Sequence, residues 1–281
     1  MSRQDISQLP IGVFDSGVGG LTVLNALRKQ LPSENLLYLG DTARVPYGTK
    51  SADSVTRYAE QAAAGLIERG IKLLVIACNT ASAVAVEPMQ ALYPDLLVIG
   101  VVVPGAQACC NTSKNKSVGV IATESTVNNR AYHNAIKAIA PEMQVTAQAC
   151  SLFVALAEEG WHQGELVEQI VSKCLKPLVD TAPNIDTLVL GCTHFPVLKE
   201  PISRVLGDDI RLVDSAETTA VAVAEELIEH ALLNPQSSAG NEHYLVTDGP
   251  ERFSRVARQF MDRDIELNQI ELVDIQHFKI P

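Results

Sequence analysis

Two cysteines occupy matching places in two similar segments of this 281-residue chain. Cys78 follows the mainly apolar segment 71–77, and Cys192 follows the related segment 185–191, so the two segments are offset by 192 − 78 = 114 residues. A helix N-terminus is expected beside each cysteine, where it would lower the pKa of a thiol. A single buried cysteine is usually a small apolar side chain, and symmetric placement is what distinguishes this pair. The apolar interpretation is applied to Cys109, Cys110, Cys150 and Cys174.

Two facing thiols suit a reaction that removes a proton from one face of a carbon atom and returns a proton to the other face. One base cannot easily serve both faces, so two groups on opposite walls of a cleft are the direct solution. One cysteine must be a thiolate while the other is a thiol, and the two exchange states at each turnover. Cys78 and Cys192 therefore predict a racemisation.

Other polar side chains lie near the ends of predicted strands. Asp15 begins Asp-Ser-Gly-Val-Gly-Gly, whose glycines let backbone N–H groups approach an anion at the start of a helix. Neither Gly-x-Gly-x-x-Gly nor Gly-Lys-Ser/Thr occurs there, so nucleotide binding is the weaker interpretation. His194 could hold or relay a proton beside Cys192. Short side chains that could cap helices or bind carboxylates are Ser16, Asn79, Thr80, Thr123 and Thr193.

The composition excludes several classes of partner. The formal net charge is −11, without a run of Lys or Arg, which argues against nucleic acid and anionic membrane surfaces as partners. The apolar run 96–103 is too short to cross a bilayer. Residues 1–10 are polar and predict no signal peptide, so we expect a cytoplasmic protein with reduced thiols. No Cys/His cluster has zinc spacing, and no metal is expected.

Short β-branched runs alternate with helical patterns along the chain, which predicts an α/β fold with mainly parallel sheets flanked by helices. The predicted strands are 11–14, 36–40, 73–77, 97–102, 117–121, 144–148, 187–191, 210–213 and 243–247. The predicted helices include 20–31, 52–69, 80–92, 126–139, 164–180, 197–206, 216–233 and 251–262. Ligands bind beyond the carboxyl ends of strands in such sheets.

The similarity between the two halves predicts a pseudo-twofold pair of related domains. Residues 12–16 align with 119–123 at an offset of 119 − 12 = 107, close to the offset between the cysteines. We expect a first domain of residues 1–98 plus 211–281, which carries Asp15 and Cys78. Residues 99–210 would form the second, which carries Thr123 and Cys192, with the active site in the cleft between the domains.

The motifs together resemble the glutamate racemase family, within the wider aspartate/glutamate racemase group. The resemblance covers about 11 to 220, in the expected order. It rests on Asp-Ser-Gly-Val-Gly-Gly (15–20), Val-Pro-Tyr-Gly (45–48), Ala-Cys-Asn-Thr-Ala (77–81), Gly-Val-Ile-Ala-Thr (119–123), Glu-Glu-Gly (158–160), Gly-Cys-Thr-His (191–194) and Val-Asp-Ser-Ala (213–216).

This resemblance implies a cofactor-independent interconversion of L- and D-glutamate that supplies D-glutamate for peptidoglycan. It implies that Cys78 takes the α-proton of D-glutamate and Cys192 that of L-glutamate, with help from Asp15 and His194. Glu158 would be a further acidic catalytic residue, although Glu159 adjoins it. The residues implied to bind substrate are Asp15, Ser16, Tyr47, Gly48, Asn79, Thr80, Thr123, Thr193 and His194.

Two alternatives remain at this point. One is a racemase of aspartate or hydantoin from the same group. The other is a non-catalytic protein that binds a small ligand in a duplicated α/β cleft, against which the paired cysteines argue because simple binding does not need them. The sequence is compatible with a homodimer and does not determine the oligomeric state.

Overall fold

The fold, described for residues 6–278 by a computed structural model, consists of two parallel sheets flanked by helices. The larger sheet has the strand order β10-β9-β2-β1-β3-β4, and the smaller has the order β6-β5-β7-β8. The strands are β1 (Ile11–Asp15), β2 (Leu36–Gly40), β3 (Leu73–Ile76), β4 (Leu97–Gly100), β5 (Ser117–Ala122), β6 (Gln144–Ala149), β7 (Thr187–Gly191), β8 (Arg211–Asp214), β9 (Glu242–Val246) and β10 (Ile270–Leu272).

Helices connect most of the strands. They are α1 (Leu21–Gln30), α2 (Ala52–Glu68), α3 (Asn79–Leu92), α4 (Val102–Thr112), α5 (Glu124–Asn128), α6 (Ala131–Ile139), α7 (Leu152–Glu158), α8 (Glu165–Thr181), α9 (Lys199–Leu206), α10 (Ser215–Glu229) and α11 (Pro250–Ala257). Every residue of β1, β2, β3 and β7 is buried. This burial explains why these strands read as continuous apolar runs, because helices cover both faces of a parallel sheet. The predicted fold class is confirmed.

Three of these helices and strands are absent from the sequence prediction, and one predicted helix is divided. The unpredicted elements are α4, α7 and β10, which are short or contain Pro and Gly. The predicted helix 126–139 is interrupted at Arg130, whose φ of 53° is left-handed and separates α5 from α6. A left-handed residue cannot continue a right-handed helix, and an arginine there gives no sequence signal for the break.

The internal repeat is visible in the order and register of the strands. In order along their sheets, β2-β1-β3-β4 corresponds to β6-β5-β7-β8. Ile11 pairs with Leu73 in the first set, and Val118 pairs with Thr187 in the second. These pairs are separated by 118 − 11 = 107 and 187 − 73 = 114 residues, which are the two offsets found in the sequence. Cys78 and Cys192 therefore follow equivalent strands of the two halves.

The strands divide between the sheets at slightly different places from those predicted. β4 extends to Gly100 in the larger sheet, and β8 pairs in parallel with β7 in the smaller one. The predicted domain bounds at 98 and 210 fall within β4 and just before β8, so they do not coincide with the division between the two sheets. An edge strand and a connecting strand share the same residue pattern, so the sequence does not show which sheet such a strand joins. The division into two folding domains itself stays a prediction.

The end of the chain returns to the larger sheet. α10 packs against α1, and α11 buries Phe253 against Tyr38 and Tyr244 of the larger sheet. Within residues 6–278, no helix combines the length and apolar character needed to span a membrane.

Candidate active site

A cavity of about 460 Å³ lies where the carboxyl ends of the two sheets meet. Its wall contains Cys78 and Cys192, one from each sheet. The structure therefore brings together cysteines that are 114 residues apart in sequence. The other predicted site residues in the wall are Ser16, Tyr47, Gly48, Asn79, Thr80, Thr123, Glu158, Thr193 and His194.

Cys78 lies at the N-cap of α3, as the sequence predicted, but the expected lowering of its pKa is wrong. The residue is only 6% exposed. Burial raises the pKa of its thiol to about 12, and the negative charge of Asp15 adds to the rise. A hydrogen bond from Ser16 and the backbone N–H of Ala81 act in the opposite direction and are weaker. Cys78 is therefore a thiol at neutral pH in the unliganded protein.

Cys192 differs from Cys78 in both backbone and side-chain surroundings. The residues after it form a 3₁₀ turn, Phe195–Leu198, and α9 begins only at Lys199. The expectation that Cys192 lies at an α-helix N-terminus is therefore wrong. Its Sγ lies 3.8 Å from Nδ1 of His194. The protonation state of His194 therefore sets the charge that lies beside this thiol.

His194 is held in a chain of polar contacts. Its Nε2 lies 3.1 Å from Oε1 of Glu158, and Oε2 of Glu158 accepts a hydrogen bond of 2.7 Å from Nη2 of Arg252. Burial lowers the pKa of His194, but hydrogen bonds to Cys192 and Glu158 together with nearby negative charges outweigh burial and raise it to about 10. His194 therefore carries a positive charge at neutral pH.

Glu158, rather than the adjoining Glu159, is the acidic residue in this cavity. Burial raises the pKa of Glu158, but the hydrogen bonds and charges of His194 and Arg252 outweigh burial and lower it below its usual value. The sequence alone could not choose between the two residues. α7, which ends at Glu158, directs one of them into the cavity.

Asp15 lies beneath the cavity rather than in its wall. It is fully buried, and Oδ2 accepts a hydrogen bond of 2.8 Å from the Gly17 N–H. Burial raises the pKa of its carboxyl, while the charge of His194 and backbone N–H groups lower it. The predicted assistance to the thiols suits this position. The buried Oδ1 of Asp15 has no hydrogen-bond partner among the described residues, and the predicted contact of this residue with substrate stays a prediction.

Asn79 and a group of threonines supply polar atoms between the two halves. Oδ1 of Asn79 accepts a hydrogen bond of 2.7 Å from Tyr132, whereas the buried Nδ2 has no hydrogen-bond partner among the described residues. The hydroxyls of Thr80 and Thr123 lie 3.1 Å apart, and that of Thr126 contacts both. An unpartnered amide donor beside the cavity is suited to a carboxylate ligand.

Glycines allow the halves to approach closely at two places. A Cβ on Gly19 would lie 2.4 Å from Nδ1 of His194, and a Cβ on Gly48 would lie 2.9 Å from Cβ of Thr123. Gly48 belongs to the 3₁₀ turn Tyr47–Thr49, and Tyr47 in that turn donates its hydroxyl hydrogen to Asp41. Tyr47 thus contributes its ring to the cavity wall while its hydroxyl is already bonded.

Sequence reasoning missed several residues of the cavity wall. Arg252 is the most informative, since it bonds Glu158 but follows no motif and lies in the predicted helix 251–262. Ser151, Val154 and Ala155 come from α7 and its start, an element that was not predicted. The sequence feature that could indicate these residues is the position of Ser151 shortly after a predicted strand, 144–148. Also in the wall are Gly17, Val18, Val45, Pro46 and Thr49.

The described part of the chain contains no group of three or more His, Cys, Asp or Glu side chains that could hold a metal ion. All six cysteines are free.

The sequence is similar to known proteins over nearly its whole length. A family model described as Asp/Glu/Hydantoin racemase matches residues 11–223. The glutamate racemase of Geobacter metallireducens is 51% identical over 251 residues, which cover 89% of this chain and 92% of that relative.

Solved structures are similar over the same extent. The glutamate racemase of Francisella tularensis, crystallised in complex with D-glutamate, has a TM-score of 0.89 and is 38% identical, with 96% of this chain and 99% of that chain covered. The glutamate racemase of Thermus thermophilus, in complex with beta-chloro-D-alanine, has a TM-score of 0.84 and is 42% identical, with 95% and 97% covered. The similarity therefore includes both sheets and the cavity where they meet.

Proposed function

The chain belongs to the Asp/Glu/Hydantoin racemase family and is an enzyme of its glutamate racemase group, and we propose that it interconverts L- and D-glutamate by proton transfer between Cα and two cysteines. The observation that supports this mechanism best is the presence of Cys78 and Cys192, from equivalent strand ends of the two sheets, in one cavity. The resemblance stated from the motifs is confirmed by the comparisons, whereas the roles of individual residues are proposals.

The two thiols have different electrostatic surroundings. Cys78 is a thiol because burial raises its pKa to about 12. Cys192 has the imidazole of His194 beside it, with Nδ1 3.8 Å from Sγ. The proposed mechanism has the two thiols alternate as base and acid, as a two-base racemisation requires.

The proposed reaction begins with the thiolate of Cys192 removing the α-proton of L-glutamate. The electron pair of the broken C–H bond stays on the substrate as a carbanion, and Cys192 becomes a thiol. Cys78 then gives its proton to the opposite face of Cα, which yields D-glutamate and leaves Cys78 as a thiolate. The reverse reaction starts from that state, so proton and charge balance over the two directions. The assignment of enantiomers to the two cysteines rests on the family resemblance.

The carboxylates of the substrate need hydrogen-bond donors in the cavity wall. Asn79 supplies a buried Nδ2 without a partner, and the hydroxyls of Thr80 and Thr123 lie beside it in the wall. Ser16 directly follows β1 and Thr193 directly follows Cys192, and both residues line the wall. We propose that these groups bind the two carboxylates and that Tyr47 and Gly48 cover the ligand.

The proposed biological role is the supply of D-glutamate for peptidoglycan. The cytoplasmic location and the homodimer stay predictions. Aspartate is the competing substrate, because it carries the same reacting groups on a side chain one methylene shorter.

The proposal is tested by incubating the metal-free protein with each enantiomer of glutamate in D₂O. The circular dichroism signal of glutamate should decay to zero from either enantiomer without added pyridoxal phosphate or metal. NMR should show deuterium at Cα of the product enantiomer before it appears in the remaining substrate, because the thiol that delivers the proton has exchanged with solvent. Aspartate under the same conditions is the control for specificity.

Two results would contradict the proposal. Turnover that strictly requires pyridoxal phosphate or a metal would exclude the thiol mechanism. Product that retains the original α-proton in D₂O would indicate a single base that returns the proton it removed.

A further inference from the structure

We propose that Arg252 is a positioning residue for the Cys192 half of the reaction, acting through Glu158 and His194. This inference rests on the proposed function and extends it beyond the motifs that identify the family. Arg252 lies outside the 11–223 segment that the family model matches. It belongs to α11, whose buried face packs against the larger sheet.

The carboxylate of Glu158 is divided between two partners. One oxygen bonds His194 at 3.1 Å, and the other accepts from Arg252 at 2.7 Å. A carboxylate bonded through only one oxygen can rotate, whereas one bonded through both has a defined orientation. Arg252 therefore fixes the oxygen that bonds Nε2 of His194, and this bond in turn directs Nδ1 toward Sγ of Cys192 at 3.8 Å.

Two further contacts from the segment after α11 reach the same region. The ring of Phe260 meets that of His194 edge to face, with centroids 5.3 Å apart. Gln259 lies close to Gly160: a Cβ on Gly160 would be 2.9 Å from Oε1 of Gln259. The φ of Gly160 is 73°. The end of α7 and the imidazole are thus both supported by residues that belong to the larger-sheet half.

The contacts of Arg252 and Glu158 with one another and with His194 lie beside Cys192, and the internal repeat does not reproduce them beside Cys78. The internal repeat aligns His194 with residue 194 − 114 = 80, which is Thr80, a residue that cannot titrate near neutral pH. The carboxylate near Cys78 is Asp15, which is buried beneath the wall and bonds backbone N–H groups. Loss of Arg252 should therefore affect the Cys192 half-reaction and leave the Cys78 half-reaction intact.

A competing role is direct binding of a substrate carboxylate, because Arg252 lines the cavity and its side chain is 51% exposed. The two roles differ in what they change. A carboxylate-binding arginine contributes to the binding of both enantiomers and would affect KM for both. A positioning arginine contributes to proton transfer at one wall and affects the rate for one enantiomer.

The test compares Arg252→Met with Arg252→Lys and with Arg255→Met, a matched loss of charge one turn along the same helix and away from the cavity wall. The assay is elimination of HCl from each enantiomer of 3-chloroglutamate. A thiolate removes the α-proton, the C–H electron pair forms the Cα–Cβ double bond, and chloride leaves with the electrons of the C–Cl bond. Water then hydrolyses the resulting enamine, through its imine, to 2-oxoglutarate and ammonia.

Elimination needs one base only, so each enantiomer reports on one wall. We expect Arg252→Met to lower the elimination kcat by about 10-fold for the enantiomer that Cys192→Ser fails to process, which is L by the resemblance. KM for this enantiomer should change less than kcat. The other enantiomer should react within about twofold of wild type, Arg252→Lys should recover part of the loss, and Arg255→Met should behave as wild type in both assays.

A readout independent of activity separates this proposal from the proposed function. The Nε2–H proton of His194, assigned by its absence in His194→Asn, should exchange slowly because it is bonded to Glu158, and its NMR signal should be lost in Arg252→Met but kept in Arg255→Met. Equal loss of kcat for both enantiomers, a rise in KM alone, or an unchanged Nε2–H signal would overturn the positioning role. Failure of the wild type to act on either enantiomer, with the NMR result as expected, would overturn the proposed function instead.

Discussion

Replacement of His194 by Asn removes the cation beside Cys192 and tests whether that cation makes Cys192 the resting base. Asparagine is similar in reach but cannot carry a charge. Nδ1 of His194 is 3.8 Å from Sγ of Cys192, and the imidazole is largely buried. The substitution should therefore act directly on Cys192, whereas it reaches Cys78 only through Asp15, because the surroundings of Cys78 are set mainly by burial and by that carboxyl.

The size of the effect follows from that distance. Two unit charges 3.8 Å apart interact by about 4 kcal/mol at an effective dielectric constant near 20. Since 1.36 kcal/mol corresponds to one pH unit, loss of the cation should move the acid limb of the Cys192 half-reaction upward by about two to three pH units. The rise of the His194 pKa from 6.5 to about 10 is of the same size and includes the reciprocal interaction with Cys192.

The assay must measure each half-reaction separately. L- and D-glutamate have equal free energies, so kcat/KM for the two directions must fall by the same factor in any variant. Elimination of HCl from 3-chloroglutamate is irreversible and escapes this constraint. We expect about a 100-fold loss at neutral pH for the enantiomer that Cys192 processes, at the lower end of what general acid–base assistance provides, with recovery as the pH rises.

The result that would refute this reasoning is an equal loss for both enantiomers of the analogue, since His194 would then act on both walls or on the fold. An unchanged acid limb would also refute it, because the positive charge would not be stabilising a thiolate. Circular dichroism and urea unfolding of His194→Asn serve as the control for folding.

Three further predictions concern other parts of the structure. Asp15→Asn should lower kcat by about 100-fold and change KM by less than about threefold, because the carboxyl lies beneath the cavity and not in its wall; a rise in KM alone would contradict this. Gly48→Ala should lower kcat/KM for glutamate by about 10-fold, measured by circular dichroism, because its Cβ would lie 2.9 Å from Cβ of Thr123 and displace the turn that covers the cavity; wild-type kinetics would show that this approach is not needed. Lys72→Met should lower the free energy of unfolding by about 3–5 kcal/mol in urea, because it leaves the buried carboxylate of Glu34 without its cation; a loss below about 1 kcal/mol would refute this.

Much of the fold and the centre of the site follow from local sequence signals. Buried parallel strands are mainly apolar, so β1, β3, β5 and β7 are recognisable, and a polar residue at the end of such a strand or directly after it lies at the ligand-binding edge. Cys78 and Cys192 were predictable for that reason, and the matching offsets identified the halves from which they come. The strand registers preserve those offsets.

Features that depend on packing between distant segments could not be predicted in this way. The sequence suggested a lowered pKa for Cys78 from its helix N-terminus, but the depth of burial, a tertiary property, outweighs the helix and raises the pKa. Arg252 is similar, since its partner Glu158 is 94 residues away. The left-handed Arg130 ends a helix without any glycine or proline to indicate the break.

The most direct test of the central claim, that two cysteines act on opposite faces of one carbon, compares Cys78→Ser with Cys192→Ser. Each variant should fold and should have almost no racemase activity, because serine is too weak an acid to replace the thiol. Each should still eliminate HCl from one enantiomer of 3-chloroglutamate at close to the wild-type rate, and the two variants should select opposite enantiomers, with Cys192→Ser acting on D and Cys78→Ser on L. Processing of both enantiomers by both variants, or racemisation of glutamate by either one, would contradict the account.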